Sequence, residues 1–229
     1  MKNGQGLSLL KTLLVSSRNY MMLFRGRRRL RDVLDRSGVE IYVYDRCSLI
    51  DIDLKDAFFY VNSVSQLDED ARMCIKRGLR KGSIVIVEIV PRTRSDIVLV
   101  NKLVSQYGIE YTWLKVYDST NNNGVPLNPL MDAYLPGRHL ENIVVEHAFH
   151  IRAFRAYRFL RGKDTAIIMD PRTEEVLPVP SGRNVCSGTI TYDNGKPQLI
   201  AFSGYVFSDT SLGSTMNYKL LELILSFIS

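Results

Sequence analysis

The sequence SIVIVEIV, residues 83–90, indicates the fold class of this 229-residue chain. It is a short and nearly continuous run of β-branched apolar residues, bounded by Gly82 and Pro91. Such a run is typical of a buried strand. Proline ends it because this residue cannot donate a backbone hydrogen bond to a sheet.

Helical and strand-like patterns alternate around this strand. Helices are predicted at residues 19–36, 67–80 and 96–107, the second capped by Ser65 and the third by Ser95. Further strands are predicted at residues 9–15, 39–44, 56–61 and 109–117. This alternation predicts a mostly parallel, doubly wound sheet with helices on both faces, in which the strands at 9–15, 39–44, 56–61 and 83–90 are mutually parallel.

The second half of the chain has a different pattern. Residues 118–136 are rich in asparagine and proline and predict a long loop. Short strands are then predicted at residues 142–147, 165–169, 175–179, 186–192 and 198–202, and a final helix at 215–228. Asp193-Asn194-Gly195 predicts a hairpin turn. We therefore expect one α/β domain over residues 1–229, with 118–198 as a loop and β-rich insertion and 199–229 returning to the core.

Composition narrows the class of protein. Hydrophobic residues make up 45% and charged residues 24%, which is typical of a globular domain and excludes disordered, fibrous and disulfide-dense chains. The net charge is +6, which attracts phosphates but also keeps a protein in solution. Cys47, Cys74 and Cys186 have no paired spacing, so we expect reduced thiols. The apolar stretch at residues 7–24 contains charged and polar residues, so we expect no membrane span and a cytoplasmic protein.

Three segments resemble class I glutamine amidotransferase-like domains. They are residues 48–91, residues 100–111 and residues 199–228. The last resembles the strand, glycine turn and asparagine-led terminal helix of the non-catalytic branch, with Gly204, Leu212 and Asn217 at the pattern positions. That branch includes domains of intraflagellar-transport, oligosaccharyltransferase-subunit and gliding-motility proteins. Tyr205 stands where many members carry an acid. The resemblance implies a flavodoxin-like or amidotransferase-like sheet.

The resemblance also implies where the active members hold their nucleophile. They carry a cysteine on a strand-to-helix turn, activated by a histidine and an acid. The matching turn here is residues 90–93, which has no cysteine. We therefore predict no catalytic residues and a protein that is not an enzyme, with none of its three cysteines within hydrogen-bond reach of a histidine. A hydrolase of another mechanism is a further alternative, although no GxSxG is present.

A ligand-binding crevice is predicted where the parallel strands end, because open α/β sheets bind ligands at the carboxyl ends of their strands. The residues expected there are Pro91, Arg92, Thr93, Arg94, Tyr205 and Asp209. Arg92 and Arg94 would suit an anionic group.

Two arginine clusters suggest a different function. Arg25, Arg27, Arg28, Arg29 and Arg31 could grip a nucleic-acid backbone, or could form a solvated helix face in which Arg27 and Arg31 pair with Asp32 and Asp35. The three-residue spacing of the arginines in the second cluster predicts one stripe along a helix. The cluster consists of Arg152, Arg155, Arg158, Arg161 and Lys163.

The remaining motif is EHAFH, residues 146–150. Its two histidines do not have the spacing of the HExxH zinc motif, so we expect neither a metal nor a cofactor. The preferred function is a non-catalytic binding or scaffold module within a larger assembly, with a protein partner or a second copy of the chain. The alternative is a nucleic-acid-associated protein that uses the arginine clusters.

Overall fold

The computed structural model describes residues 11–54 and 57–227, which form two β-sheets and five α-helices. The strands are β1 (Lys11–Ser16), β2 (Val39–Tyr44), β3 (Ala57–Val61), β4 (Ile84–Glu88), β5 (Ile109–Tyr117), β6 (Leu130–Leu135), β7 (Arg138–Val144), β8 (Phe149–Ala153), β9 (Tyr157–Arg161), β10 (Ile167–Met169), β11 (Val176–Leu177), β12 (Cys186–Asp193) and β13 (Lys196–Phe202). The helices are α1 (Tyr20–Leu23), α2 (Arg28–Arg36), α3 (Glu69–Lys81), α4 (Arg94–Val104) and α5 (Thr215–Ser226).

The larger sheet has nine strands in the order β2-β1-β3-β4-β13-β12-β9-β6-β7. Its first five strands pair in parallel, which confirms the predicted arrangement of β1 to β4. The other four continue the sheet in antiparallel pairs. The fold is therefore mixed α/β, with one sheet that is parallel in one half and antiparallel in the other.

The second sheet is antiparallel and has the order β11-β10-β5-β8. The strand predicted at residues 109–117 forms as β5, but it joins this sheet rather than the parallel one. The predicted hairpin joins β12 to β13, and Asn194 and Gly195 both take left-handed backbone angles, with φ of 49° and 79°. These are the angles that the tight turn requires.

The core lies on both sides of β4. Ile84 and Ile86 pack in a cluster with side chains of α2 and α5, whereas Val85 and Val87 pack in a second cluster with side chains of α3 and α4. Successive side chains of a strand point to opposite faces, so one apolar strand contributes to both clusters. This explains why residues 83–90 are apolar nearly throughout.

Several predicted boundaries were wrong. The helix expected at residues 19–36 is divided into α1 and α2, because Gly26 takes a left-handed φ of 67° between them. Asp68 caps α3 in place of Ser65, and Thr93 caps α4 in place of Ser95. The predicted loop at residues 118–136 contains β6.

Some predicted residues lie outside the part of the chain that the structure describes: Leu9, Leu10, Asp56 and Ile228. In the described part, no helix is both long and apolar enough to cross a lipid bilayer.

Candidate functional site

A polar cleft of about 650 Å³ opens where the parallel strands end. The carboxyl ends of parallel strands share one edge of a sheet, so the segments that follow β3, β4 and β13 meet there with the segment between α1 and α2. The lining residues are Arg25, Gly26, Arg27, Asn62, Ser63, Val64, Ser65, Val90, Arg92, Asp96, Tyr205 and Ser208.

The wall of the cleft is built on a buried ion pair between Arg27 and Glu88. Glu88 is the last residue of β4 and is fully buried, and Arg27 is 4% exposed. The Arg27 Nη1 atom lies 2.8 Å from Glu88 Oε2. The other carboxylate oxygen accepts hydrogen bonds from the backbone N–H groups of Val206 and Phe207, at 2.5 and 2.7 Å. The Tyr60 hydroxyl also donates to Glu88.

Arg27 stays charged in this buried position. Burial alone would lower the pKa of Arg27, but the Glu88 carboxylate and the nearby oxygens of Tyr60 and Tyr205 raise it above its ordinary value. The guanidinium carbon lies 5.9 Å from the Tyr60 ring centroid and 5.4 Å from that of Tyr205. Because Arg27 is neutralised by Glu88, the positive charge that the cleft offers to a ligand comes from its other arginines.

Those arginines are Arg25 and Arg92, and both are exposed. In the described part of the chain, neither guanidinium lies within 4.0 Å of a carboxylate. The nearby Asp96 carboxylate accepts hydrogen bonds from the backbone N–H groups of Arg92 and Thr93, at 2.8 and 3.0 Å, as the capping box of α4. Because the Asp96 carboxylate accepts these backbone hydrogen bonds, it does not form an ion pair with the Arg92 side chain.

Neutral polar groups complete the lining. Ser63, Ser65 and Ser208 contribute hydroxyls. Asn62 donates from Nδ2 to the carbonyl of Leu23 at 2.8 Å, while its buried Oδ1 atom has no hydrogen-bond partner within residues 11–54 and 57–227. The cleft therefore combines two arginines that have no carboxylate partner among the described residues with nearby polar groups, which is the chemistry that holds a small anion carrying hydroxyl groups.

The predicted crevice residues are distributed in and around this cleft. Arg92 and Tyr205 line it. Pro91 is buried and Thr93 caps α4. Arg94 is exposed on α4 and does not line the cleft.

Asp209 has a structural contact, because its carboxylate accepts a hydrogen bond from the backbone N–H of Arg29 at 2.8 Å. Sequence reasoning did not find the lining residues Asn62, Ser63, Ser65 and Ser208, and it assigned Arg25 to the first arginine cluster rather than to the crevice. A usable signal for three of them was their position directly after a predicted parallel strand, where open α/β sheets bind ligands. These residues are Asn62, Ser63 and Ser65.

The first arginine cluster does not form one surface. Arg27 pairs with Glu88, which corrects both the expected pairing with Asp32 and the expected exposure on a helix face. Arg31 pairs with Asp35 at 4.0 Å, as expected for neighbours one helical turn apart. The other members separate: Arg25 lines the cleft, whereas Arg28 and Arg29 are exposed at the start of α2.

The predicted helical stripe in the second cluster was wrong. Arg152 lies on β8, Arg158 and Arg161 lie on β9, and Arg155 lies in the bend between them. These strands form because β8 pairs with β5, and β9 pairs with β12 and β6. Such pairing partners are distant in the sequence, so a three-residue spacing could not reveal them.

The thiols are buried in the described structure. Burial raises the pKa of Cys186 to about 12, and burial also raises the pKa of Cys74. One histidine does reach a cysteine, contrary to the prediction: the Cys186 backbone N–H donates to His150 Nδ1 at 3.2 Å. The Cys186 thiol itself donates to the carbonyl of Gly188, so this contact does not activate the sulfur.

The two histidines of EHAFH occupy different environments. His147 is exposed and has a left-handed φ of 52°. Its ring centroid lies 6.2 Å from that of Tyr205, and the two ring planes are nearly perpendicular, at 85°. His150 is 4% exposed. Within residues 11–54 and 57–227, no three histidine, cysteine, aspartate or glutamate side chains cluster as metal ligands would.

The burial of His150 predicts a pH-dependent stability. Burial, together with Arg152 and Arg158, lowers the pKa of His150 to about 4 from an ordinary 6.5. The unfolded chain therefore binds this proton more readily, and the free energy of unfolding should fall as the pH drops from about 6.5 towards 4, by about 2 kcal/mol at pH ~5. Denaturant unfolding at several pH values measures this loss.

The matched variants are His150→Asn and His139→Asn. An asparagine at position 150 keeps an acceptor near the backbone N–H of Cys186 but does not titrate, so its stability should depend less on pH over this window. The exposed His139 should leave the dependence as in the wild type. An unchanged pH slope in His150→Asn would assign the effect to other groups.

No protein-family model matches this chain, and a sequence comparison with curated proteins finds no match. Two solved structures are similar to it. One is a ThuA-like protein from Bacteroides uniformis, with a TM-score of 0.56 at 8% identity, covering 96% of this chain and 91% of that one. The other is α-L-fucosidase isoenzyme 2 from Paenibacillus thiaminolyticus, with a TM-score of 0.47 at 13% identity, covering 95% of this chain and 32% of that one. The first likeness shows a shared mixed α/β fold.

Proposed function

We propose that this protein is a non-catalytic binding module whose cleft takes a small anionic ligand. The observation that carries the proposal is the pair of exposed arginines, Arg25 and Arg92, which line the cleft without a carboxylate partner in the described chain. An arginine binds phosphate or carboxylate through charge-assisted hydrogen bonds. The serine hydroxyls of the lining would meet the polar remainder of the ligand.

The fold class belongs to the same proposal. A doubly wound sheet of the amidotransferase-like type, non-catalytic branch, agrees with the sequence resemblance and with core clusters that place α2 and α5 on one side of β4 and α3 and α4 on the other. The burial of the thiols, together with the raised pKa values of Cys74 and Cys186, supports binding rather than nucleophilic chemistry. In a larger assembly, a protein partner or a second copy of the chain would bind the module when the cleft holds its ligand.

Ligand binding is tested by calorimetry and thermal unfolding with inorganic phosphate, citrate, a sugar phosphate and an uncharged sugar. We expect the anions, and not the uncharged sugar, to bind and to raise the melting temperature. Arg92→Ala should weaken the binding of the best anion about 10- to 150-fold, since a hydrogen bond to a charged group contributes about 1.5–3 kcal/mol.

Arg94→Ala is the matched control. Arg94 is an exposed arginine two positions away that does not line the cleft, so this variant should bind as the wild type does. Equal losses in the two variants would mean that the anions sense general surface charge. Binding of the uncharged sugar alone would contradict the proposed ligand class.

A further inference from the structure

The two exposed arginines of the cleft, Arg25 and Arg92, come from opposite sides of the parallel sheet. Arg25 lies in the turn that leads into α2, and Arg92 lies in the turn that leads into α4. Phe24, next to Arg25, packs against the core cluster that contains α2. Ile89, shortly before Arg92, is buried in the cluster that contains α4. The cleft therefore has one arginine on each side of the sheet edge.

The edge between these two arginines carries neutral or paired groups. The Arg27 side chain lies there because it pairs with Glu88, the last residue of β4. Asn62 directly follows β3, the neighbour of β4 in the sheet. Asn62 is uncharged, as are the lining residues Ser63 and Ser65. A ligand that reaches from one arginine to the other thus crosses a polar region that offers hydrogen bonds rather than a free charge.

The cleft is also larger than a single small anion requires. Its volume of about 650 Å³ lies in the range of sites that take ligands of drug or cofactor size. The lining acid, Asp96, is held by the backbone N–H groups of Arg92 and Thr93. One phosphate or carboxylate group on one arginine would leave most of the space and the other arginine unused.

We propose that the ligand of the cleft is a bis-anion with a hydroxylated middle, in which two phosphate or carboxylate groups stand at opposite ends. One anionic group binds Arg25 and the other binds Arg92, each through charge-assisted hydrogen bonds. The hydroxyls between them contact the neutral polar side chains of the lining. This inference rests on the proposed anion-binding function and specifies the class of ligand.

The experiment is calorimetry with the full chain and two matched pairs of probes. One pair is fructose 1,6-bisphosphate and fructose 6-phosphate, and the other is glucarate and gluconate. The members of a pair share a six-carbon skeleton, and one of them carries an additional anionic group. In at least one pair, the bis-anion should bind about 10- to 150-fold more tightly, which is the factor that one hydrogen bond to a charged group contributes. The pair with the larger ratio identifies phosphate or carboxylate as the preferred group.

Substitutions distinguish two separate anion positions from one shared position. In Arg25→Ala and in Arg92→Ala, the bis-anion should bind only about as tightly as its mono-anion, because one of its ends has lost its partner. If both arginines contact the same anionic group, each substitution weakens the binding of both probes by the same factor, and the ratio persists. Arg28→Ala and Arg94→Ala are the matched controls and should keep the wild-type ratio, since both side chains are exposed and neither lines the cleft.

Two results would overturn the inference and leave the proposed function standing. They are equal affinities of the bis-anions and mono-anions for the wild type, and a ratio that persists in both Arg25→Ala and Arg92→Ala. If none of the four probes binds, the inference is wrong. The proposed function is then wrong as well only if inorganic phosphate and citrate also fail to bind.

Discussion

Replacing Arg27 with methionine should lower the free energy of unfolding by about 3–5 kcal/mol, as expected when one partner of a buried ion pair is removed. The variant leaves the Glu88 carboxylate buried without its counter-ion, held only by the N–H groups of Val206 and Phe207 and by the Tyr60 hydroxyl. Chemical denaturation monitored by fluorescence or circular dichroism measures the loss.

The control is the adjacent residue of the same arginine run. Arg28 is exposed, so Arg28→Ala should change stability by less than about 0.5 kcal/mol. The double variant Arg27→Met with Glu88→Gln should recover a large part of the loss, because the glutamine is uncharged and its side-chain oxygen can still accept the two backbone hydrogen bonds. Additive losses in the double variant would show that the two side chains do not stabilise each other.

The ion pair also determines how the arginine run can be tested for nucleic-acid binding. A variant that removes Arg27, Arg28 and Arg29 together would lose affinity through partial unfolding. Arg28 and Arg29 alone are the appropriate pair, since both side chains are exposed at the start of α2.

The second large effect is expected at Asn217, a fully buried residue of α5. Its Oδ1 accepts from the Val144 N–H at 2.9 Å, and its Nδ2 donates to the carbonyls of Val144 and Val206, both at 2.8 Å. Asn217→Ala leaves these three backbone groups without partners. Each such buried group costs about 1–3 kcal/mol, so the free energy of unfolding should fall by at least about 3 kcal/mol.

Two further variants test this explanation. Asn217→Asp keeps the acceptor but faces two carbonyls with a negative charge, so it should be at least as destabilising as Asn217→Ala. Lys219→Ala, at an exposed position on the same helix, should be nearly neutral. A loss of less than about 1 kcal/mol in Asn217→Ala would mean that water or a shift of the backbone replaces these hydrogen bonds.

Asn217 connects the final helix to the cleft residue Arg27 through two intermediate residues, Val206 and Glu88. Val206 accepts a hydrogen bond from Asn217 and donates one to Glu88. The asparagine that the sequence resemblance singled out therefore holds the backbone beneath the candidate site. Where Asn217→Ala remains folded, its affinity for the best anion should also decrease.

Local patterns were enough to predict most of the regular structure. Apolar runs identified β3 and β4 because a strand buried on both faces needs few polar residues. The turn residues Asn194 and Gly195 identified the last hairpin because few residues accept left-handed angles. The residues that cap the helix N-termini were harder to predict from local patterns. Ser65 and Asp68 are both good caps, and only the path of the chain after β3 determines which one begins α3.

The sequence by itself determined the parallel start of the large sheet, the edge at which a cleft would open and the presence of Arg92 and Tyr205 there. Only the tertiary structure decided the roles of the arginines. Arg27 is buried because Glu88, 61 positions further along the chain, ends its strand beside it. Arg152 and Arg158 lie on strands because β5 and β12 supply the pairing edges. An arginine can be solvated, paired or ligand-binding with the same local sequence, since its charge is neutralised or left free by groups that folding brings from elsewhere.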